Sequence, residues 1–295
     1  MFRTPLVSVI IPTYNPCRYL EKSISSILSQ DYENLELIII DDKSNPSERE
    51  YINELRKKYS FKLIFLDQNS GSCARPINEG INIANGKYIG ICAQDDFYLK
   101  CKISSQVKHM EENENFAMCY SDAYLIFDDN DNEYIEIKRS PKKKSGFIFN
   151  DILLQRFYIP ALTVLVRKEV FATVGNFDES LLIEDWDMWL RIAYKYELGY
   201  LNMPLACYRS HKDNISKIRS DQMISDRLKI ISKWRGLPIS NPALAIASFL
   251  DQQINLSEPH LFIRNMILTF WYFRQPIRWL RIVFSKLLSP YTFSA

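Results

Sequence analysis

Glycine is scarce in this chain, with eight among 295 residues, and none stands in Pro12-Thr-Tyr-Asn-Pro16, the turn after the first apolar run. A loop that cradles phosphate with its backbone N–H groups needs glycine for close approach, so that device is argued against here. The six cysteines (Cys17, Cys73, Cys92, Cys101, Cys119, Cys207) never form a CxxC pair, and Cys92 lies inside an apolar run. Buried free thiols in a reducing compartment explain them, and the chain reads as cytoplasmic. Histidine occurs only at His109, His211 and His260. An excess of charge of one sign is nearly absent as well: a net +2 gives no global pull toward nucleic acid, and no such partner is expected. The apolar stretch Leu6 to Ile11 is short and stopped by Pro12, unlike a signal peptide or an anchor. Neither an internal repeat nor a low-complexity segment is found.

What is present is an alternation of two periodicities. Val7 to Ile11, Leu35 to Ile40, Phe61 to Leu66 and Tyr88 to Ala93 are continuous apolar runs of the kind that buried parallel strands make. Between them, Leu20, Ile24, Ile27 and Leu28, then Ile52, Leu55 and Tyr59, then Ile77, Ile81 and Ala84 recur at helical spacing. Four strands alternating with three helices predict a Rossmann-like α/β half over residues 1–100, a mostly parallel sheet with helices on both faces. Residues 101–235 change character. Phe116 to Phe127 and Tyr134 to Lys138 read as a hairpin across the turn Asp128-Asp-Asn-Asp-Asn132, so the second half is mixed.

Acids at strand ends carry the first chemical signal. Asp95 and Asp96 directly follow the fourth run and its spacer Gln94. Ligands of open α/β sheets bind beyond the carboxyl ends of the strands, and alternation sends at least one of two adjacent side chains there. Neighbouring carboxylates repel by roughly 1 kcal/mol in water and about 4 near a protein surface, which favours a bound cation. A divalent metal carrying a phosphorylated substrate suits such a site. Asp128-Asp129, by contrast, reads as a solvated turn, and Lys142-Lys-Lys144 as a solvated loop. Glu184-Asp185 opens a helix whose face bears Trp186, Trp189, Leu190 and Ala193. A helix N-terminus stabilises an ionised carboxylate by roughly 0.3 to 1 kcal/mol, so Asp185 is expected to be charged at neutral pH.

The ordered stations resemble the inverting family 2 glycosyltransferases of the GT-A fold. They are Val7-Ser-Val-Ile-Ile-Pro-Thr-Tyr-Asn15, Ser23-Ile-Ser-Ser-Ile-Leu-Ser-Gln30, Leu37-Ile-Ile-Ile-Asp-Asp42, Asn69-x-Gly71, Ala74-Arg75 and Asn78-x-Gly80. Ala84-x-Gly86-x-Tyr88-Ile89, Asp95-Asp96, Glu184-Asp185-x-Asp187 and Tyr208-Arg-x-His211 complete the set. Many members carry a further acid two positions before Asp95, where this chain has Ala93; the spore-coat glycosyltransferase SpsA group resembles it in having the adjacent pair alone. The resemblance implies that Pro12, Thr13, Tyr14, Asp42, Arg75 and Asp95 grip a nucleoside-diphosphate sugar. It implies that Asp95 and Asp96, with His211 in the closing segment, hold Mg²⁺ or Mn²⁺. It makes Asp185 the general base that takes the acceptor hydroxyl's proton, with Glu184 and Asp187 orienting base or acceptor, and a glycan or lipid-linked acceptor in bacterial surface polysaccharide synthesis.

Residues 1–235 form the expected catalytic domain and 236–295 a helical tail. No acid follows Glu258, while Arg264, Arg274, Arg278, Arg281 and Lys286 are interleaved with Trp271, Trp279 and Phe284. The apolar stretch between Arg264 and Arg274 is too short for a spanning helix, which needs about 20 residues. A basic aromatic segment of this kind suits the anionic cytoplasmic face of a membrane, making the enzyme peripheral there; packing on the catalytic domain or in a homodimer is the alternative for 260–295. Two other functions compete. A sugar-nucleotide nucleotidyltransferase would use a related sheet but wants the glycine loop missing at Pro12 to Pro16. A non-catalytic protein of the same fold could bind nucleotide or be recruited to membrane.

Overall fold

The computed structural model describes residues 4–16, 18–127, 135–136, 143–153, 156–214 and 218–234. Two compact units are present, one of residues 1–152 and 156–223, the other of 153–155 and 224–295. The expected tail, with its membrane or homodimer contacts over 260–295, lies outside the described residues. Among those that are described, no helix is long and apolar enough to cross a membrane.

The first unit is built on a sheet of nine strands. β1 (Val7–Thr13), β2 (Leu35–Asp41), β3 (Lys62–Phe65) and β4 (Tyr88–Ile91) pair in parallel in the order β3-β2-β1-β4. Helices α1 (Leu20–Leu28), α2 (Pro46–Lys58) and α3 (Ala74–Ile83) connect them. The apolar runs therefore become the parallel half that their composition predicts, with every residue of β1 and β4 buried. β1 extends two residues further than its apolar run because Pro12 pairs with Ile40 beyond the end of the β4 ladder, where its missing N–H interrupts nothing on that side. Leu28 is an exception to the α1 stripe and is exposed.

Beyond β4 the sheet is mixed. β5 (Phe97–Tyr98), β6 (Phe116–Phe127), β7 (Ile135–Glu136), β8 (Val164–Arg167) and β9 (Glu197–Ser210) complete it. β8 runs antiparallel to both β4 and β6, β9 is parallel to β6 and antiparallel to β5, and β7 pairs with β6. The pairing of Tyr124 with Glu136 and of Leu125 with Ile135 gives the expected hairpin its stem; its tip lies outside the described residues. Helices α4 (Lys102–Glu112), α5 (Phe149–Leu153), α6 (Val170–Val174), α7 (Glu184–Lys195) and α8 (Ser220–Lys233) follow in chain order. α7 buries Trp186, Trp189, Leu190 and Ala193 as its spacing predicts.

Several motif residues serve this architecture. A Cβ at Gly80 would lie 2.6 Å from the Ile10 side chain, so glycine lets α3 press onto β1. Asn78 is buried, its Oδ1 accepting the Phe177 N–H at 2.9 Å and its amide donating to the Phe177 carbonyl at 3.0 Å. It ties α3 to the segment that leads into α7.

Candidate active site

After β4 the chain turns through Cys92 to Asp96, and the two adjacent acids part company. Asp96 is buried; its Oδ1 accepts the Arg209 N–H at 2.8 Å and its carbonyl accepts the Ser23 hydroxyl, drawing α1, β4 and β9 together. Asp95 turns the other way. Its Oδ2 faces His211 Nε2 at 2.7 Å and the Asn214 amide at 3.3 Å. The Asp213 N–H points at His211 Nδ1, 3.3 Å away, and the Asn214 amide also lies 3.3 Å from His211 Nε2. Asn214 Oδ1 accepts the His211 N–H at 2.6 Å and fixes that loop. The sequence groups Asp95 and Asp96 as one cation station, whereas the structure pairs Asp95 with His211 and gives Asp96 to the frame. Burial first, and the Asp95 charge second, push the Asp96 carboxyl well above the usual range against the Arg209 N–H.

The residues expected to receive the nucleotide lie at the ends of β1 and β2. Asp42 is buried, with Oδ2 accepting from the Asn69 amide at 3.0 Å and from the Ser70 N–H and hydroxyl, both at 2.9 Å. The carboxylate expected to meet base or ribose thus also anchors the loop after β3. Thr13 donates its hydroxyl to Gln94 Oε1 at 2.7 Å, and the Tyr14 N–H reaches the same oxygen at 3.0 Å. Gln94, which the sequence offers only as a spacer, therefore locks the β1 exit turn to the β4 exit turn. Pro12 is buried, Tyr14 is exposed, and Arg75 is half-buried at the second position of α3.

The first turn of α7 supplies Glu184, Asp185 and Asp187. Asp185 Oδ1 accepts the Trp186 N–H at 2.7 Å, and its Oδ2 accepts the Tyr158 hydroxyl at 2.8 Å. The helix N-terminus alone would lower this carboxyl, but desolvation in the crevice outweighs it: Asp185 is raised above the ordinary value, with the Tyr158 and Trp186 bonds opposing. Asp187 departs from its expected place beside the base. Residues two apart on a helix do not share a face; Asp187 is fully buried, and its Oδ2 pairs with Arg191 Nε at 2.9 Å. Arg191 in turn donates to the Val174 and Asn176 carbonyls, so this acid braces α7 against the end of α6.

Cys73, just before α3, shows that the stations converge. Its thiol is pushed up by burial and then by the negative charges of Glu184, Asp95, Asp42 and Asp185. Acids drawn from three separate stretches of chain thus act on one thiol. The donor set there fits a hard divalent cation: Asp95 offers carboxylate oxygen and His211 an imidazole nitrogen. Among the described residues no group of three or more His, Cys, Asp or Glu side chains is placed to hold a metal ion; an ion held by Asp95 and His211 would complete its shell with phosphate oxygens and water.

Residues 8–175 match the family described as Glycosyl transferase family 2. An uncharacterized glycosyltransferase of Methanocaldococcus jannaschii is 35% identical over 233 residues, covering 75% of this chain and 77% of that protein. TuaG of Bacillus subtilis, described as a putative teichuronic acid biosynthesis glycosyltransferase, is 28% identical over 216 residues, 72% of this chain and 82% of its own. The chain spans 58% of the length of a Rickettsia prowazekii relative to which it is 30% identical. Among solved structures, residues 1–349 of Staphylococcus aureus TarS with UDP-GlcNAc superpose with a TM-score of 0.67 at 16% identity, over 85% of this chain and 73% of that one. The mannosyltransferase PcManGT of Pyrobaculum calidifontis, with GDP-Man and Mn²⁺, gives 0.63 at 17% identity, over 99% and 82%. Those two likenesses place the fold as GT-A, and the family match and the archaeal relative establish that the chain belongs to glycosyl transferase family 2.

Proposed function

We propose that this protein is a metal-dependent inverting glycosyltransferase that moves a sugar from a nucleoside-diphosphate donor to a hydroxyl of a glycan or lipid-linked acceptor. The observation that carries the reading is the Asp95–His211 pair, 2.7 Å apart, with Asp42 and Asp185 exerting their charge on the same Cys73 thiol as Asp95. Asp95 and His211 would hold Mg²⁺ or Mn²⁺, whose positive charge would offset the negative charge developing on the departing diphosphate. Asp42 and the β1 exit turn at Pro12, Thr13 and Tyr14 receive base and ribose, and Arg75 lies on the diphosphate side. Asp185 accepts the proton of the acceptor hydroxyl as that oxygen bonds to the anomeric carbon; the bond from that carbon to the diphosphate breaks on the opposite face, and the nucleoside diphosphate leaves with its electron pair. Glu184 adds negative charge beside the base. TarS with UDP-GlcNAc and PcManGT with GDP-Man and Mn²⁺ support donors of this class, and TuaG supports a surface-polysaccharide acceptor. The basic aromatic tail supports action at the cytoplasmic membrane face, where a lipid-linked acceptor would lie.

The test is nucleotide release from UDP-glucose, UDP-GlcNAc and GDP-mannose with Mn²⁺, in wild type and Asp185→Asn. Positioned acid–base groups contribute about 10² to 10⁴ in rate, so the variant is expected to lose at least about 100-fold while calorimetric donor affinity stays within about twofold. A variant that keeps its rate removes Asp185 from the chemistry. Donor binding without turnover in the wild type would favour the non-catalytic reading instead.

A further inference from the structure

Tyr158 belongs to none of the stations named above, yet it touches the proposed base. It lies between α5 and β8, and the residue is 60% exposed. Singly exposed aromatics are common and need no function. Two observations set this one apart. First, its hydroxyl is fixed on Asp185 Oδ2 at 2.8 Å, so an open aromatic face stands one side-chain length from the carboxylate. Second, the backbone beneath it is held on both sides. Phe157 is buried and stacks on Tyr120, with ring centroids 6.0 Å apart and planes 13° from parallel. Ile159 is buried, and its carbonyl accepts the Trp189 indole N–H at 3.1 Å. Both neighbours point inward, and the side chain between them is presented outward on a rigid base.

We propose that Tyr158 forms the acceptor subsite: its exposed ring is the platform for the apolar face of an acceptor pyranose, and its hydroxyl positions the Asp185 carboxylate toward the sugar hydroxyl that reacts. The inference rests on the reading of Asp185 as the base. An aromatic side chain with an apolar body and a polar tip suits a sugar ring, which offers C–H groups on its face and hydroxyls at its edge. The two functions lie on different atoms of one side chain and separate by substitution. The titratable groups whose charges reach the pair are Glu184 on α7, Tyr208 on β9 and Cys73 before α3. The donated hydroxyl favours the ionised carboxylate, so its removal raises the pH at which Asp185 loses its charge.

The experiment compares wild type, Tyr158→Phe and Tyr158→Ala as full chains with Mn²⁺ and UDP. Saturation-transfer NMR reads binding of methyl α- and β-glycosides of glucose, galactose and N-acetylglucosamine; nucleotide release and transfer to the same glycosides give the kinetics. Tyr158→Phe is expected to bind the glycosides within about twofold of wild type, while its kcat falls and the acid limb of its pH profile moves to higher pH. Tyr158→Ala is expected to lose a further factor of about ten in glycoside affinity and to raise acceptor KM about tenfold, with donor KM unchanged. Equal glycoside affinity in the two variants, or no glycoside binding by the wild type, overturns the platform. A Tyr158→Phe variant with unaltered kcat and acid limb overturns the positioning role. A wild type that binds glycosides through Tyr158 but releases no nucleotide sinks the proposed function and leaves the platform standing.

Discussion

At the scale of single residues, the division of labour between Asp95 and Asp96 decides how the site works. Adjacent acids on an extended exit segment point to opposite sides, and here one side is the crevice and the other is the sheet. Asp95 meets His211; Asp96 meets a backbone N–H of β9. The two should therefore fail differently. Asp95→Asn is expected to weaken Mn²⁺-dependent donor binding by at least about tenfold and to leave Mn²⁺-free binding and the melting temperature nearly unchanged. Asp96→Ala strips the Arg209 N–H of its partner inside the protein and is expected to cost about 1–3 kcal/mol of stability, with the Mn²⁺ dependence of the remaining folded protein intact. Calorimetry with and without Mn²⁺, alongside thermal denaturation, reads both. The reverse pattern would make Asp96 the ligand. From sequence, the pair was legible as a cation station but its split was not, because the partners that separate the two acids lie more than 110 residues away. Gln94 and Tyr158 were hidden for the same reason: each acts on a residue distant in the chain, and neither sits in a spacing that announces a role.

The elements were legible in proportion to how simply they are buried. β1, β2 and β4 are covered on both faces, so their apolar runs are continuous and read directly as parallel strands. α4 escaped because its buried side includes Lys102 and Gln106 beside Ile103, Val107 and Met110, which breaks the apolar stripe. Lys102 is accommodated by Gln106 Oε1 at 2.5 Å, the Val164 carbonyl at 3.2 Å and the Tyr98 ring at 4.1 Å, and burial lowers its pKa to about 7. No local pattern in the sequence signals such a pocket. The β5 strand is only two residues long and exists through its pairing with β9. Between elements, Gly86 sets the approach to β4. A Cβ there would lie 2.6 Å from both the Ser8 nitrogen and the Ser8 hydroxyl and 2.8 Å from the Tyr88 carbonyl, and the backbone atoms among these cannot step aside. Gly86→Ala is therefore expected to destabilise the fold by roughly 1–3 kcal/mol. Denaturant unfolding would show a lowered midpoint at unchanged slope; an unchanged midpoint would mean that β1 and the turn before β4 have room the packing does not show.

Across the whole molecule, charge is distributed in a way the small net value conceals. The five basic side chains at Arg264, Arg274, Arg278, Arg281 and Lys286 have no acid among them and exceed the net charge of +2, so residues 1–259 are net negative. The net-negative residues 1–259 are on balance disfavoured at an anionic surface, whereas the basic aromatic sequence after them is attracted to one. Each basic residue near an anionic bilayer contributes about 1 kcal/mol, so replacing Arg274, Arg278 and Arg281 by Gln together should lower partitioning by on the order of 100-fold. Flotation of the full chain with phosphatidylglycerol vesicles and with phosphatidylcholine vesicles at fixed salt measures this. The wild type should float with the anionic vesicles and the triple variant should stay at the bottom, while both release nucleotide at the same rate in solution. Equal flotation of the two would exclude an electrostatic anchor, and sedimentation would then show whether the same arginines hold two copies of the chain together. The comparison also bears on the acceptor: an enzyme that reaches a lipid-linked substrate gains local concentration from the anchor, so loss of flotation should slow transfer to a vesicle-borne acceptor and leave transfer to a soluble glycoside unaffected.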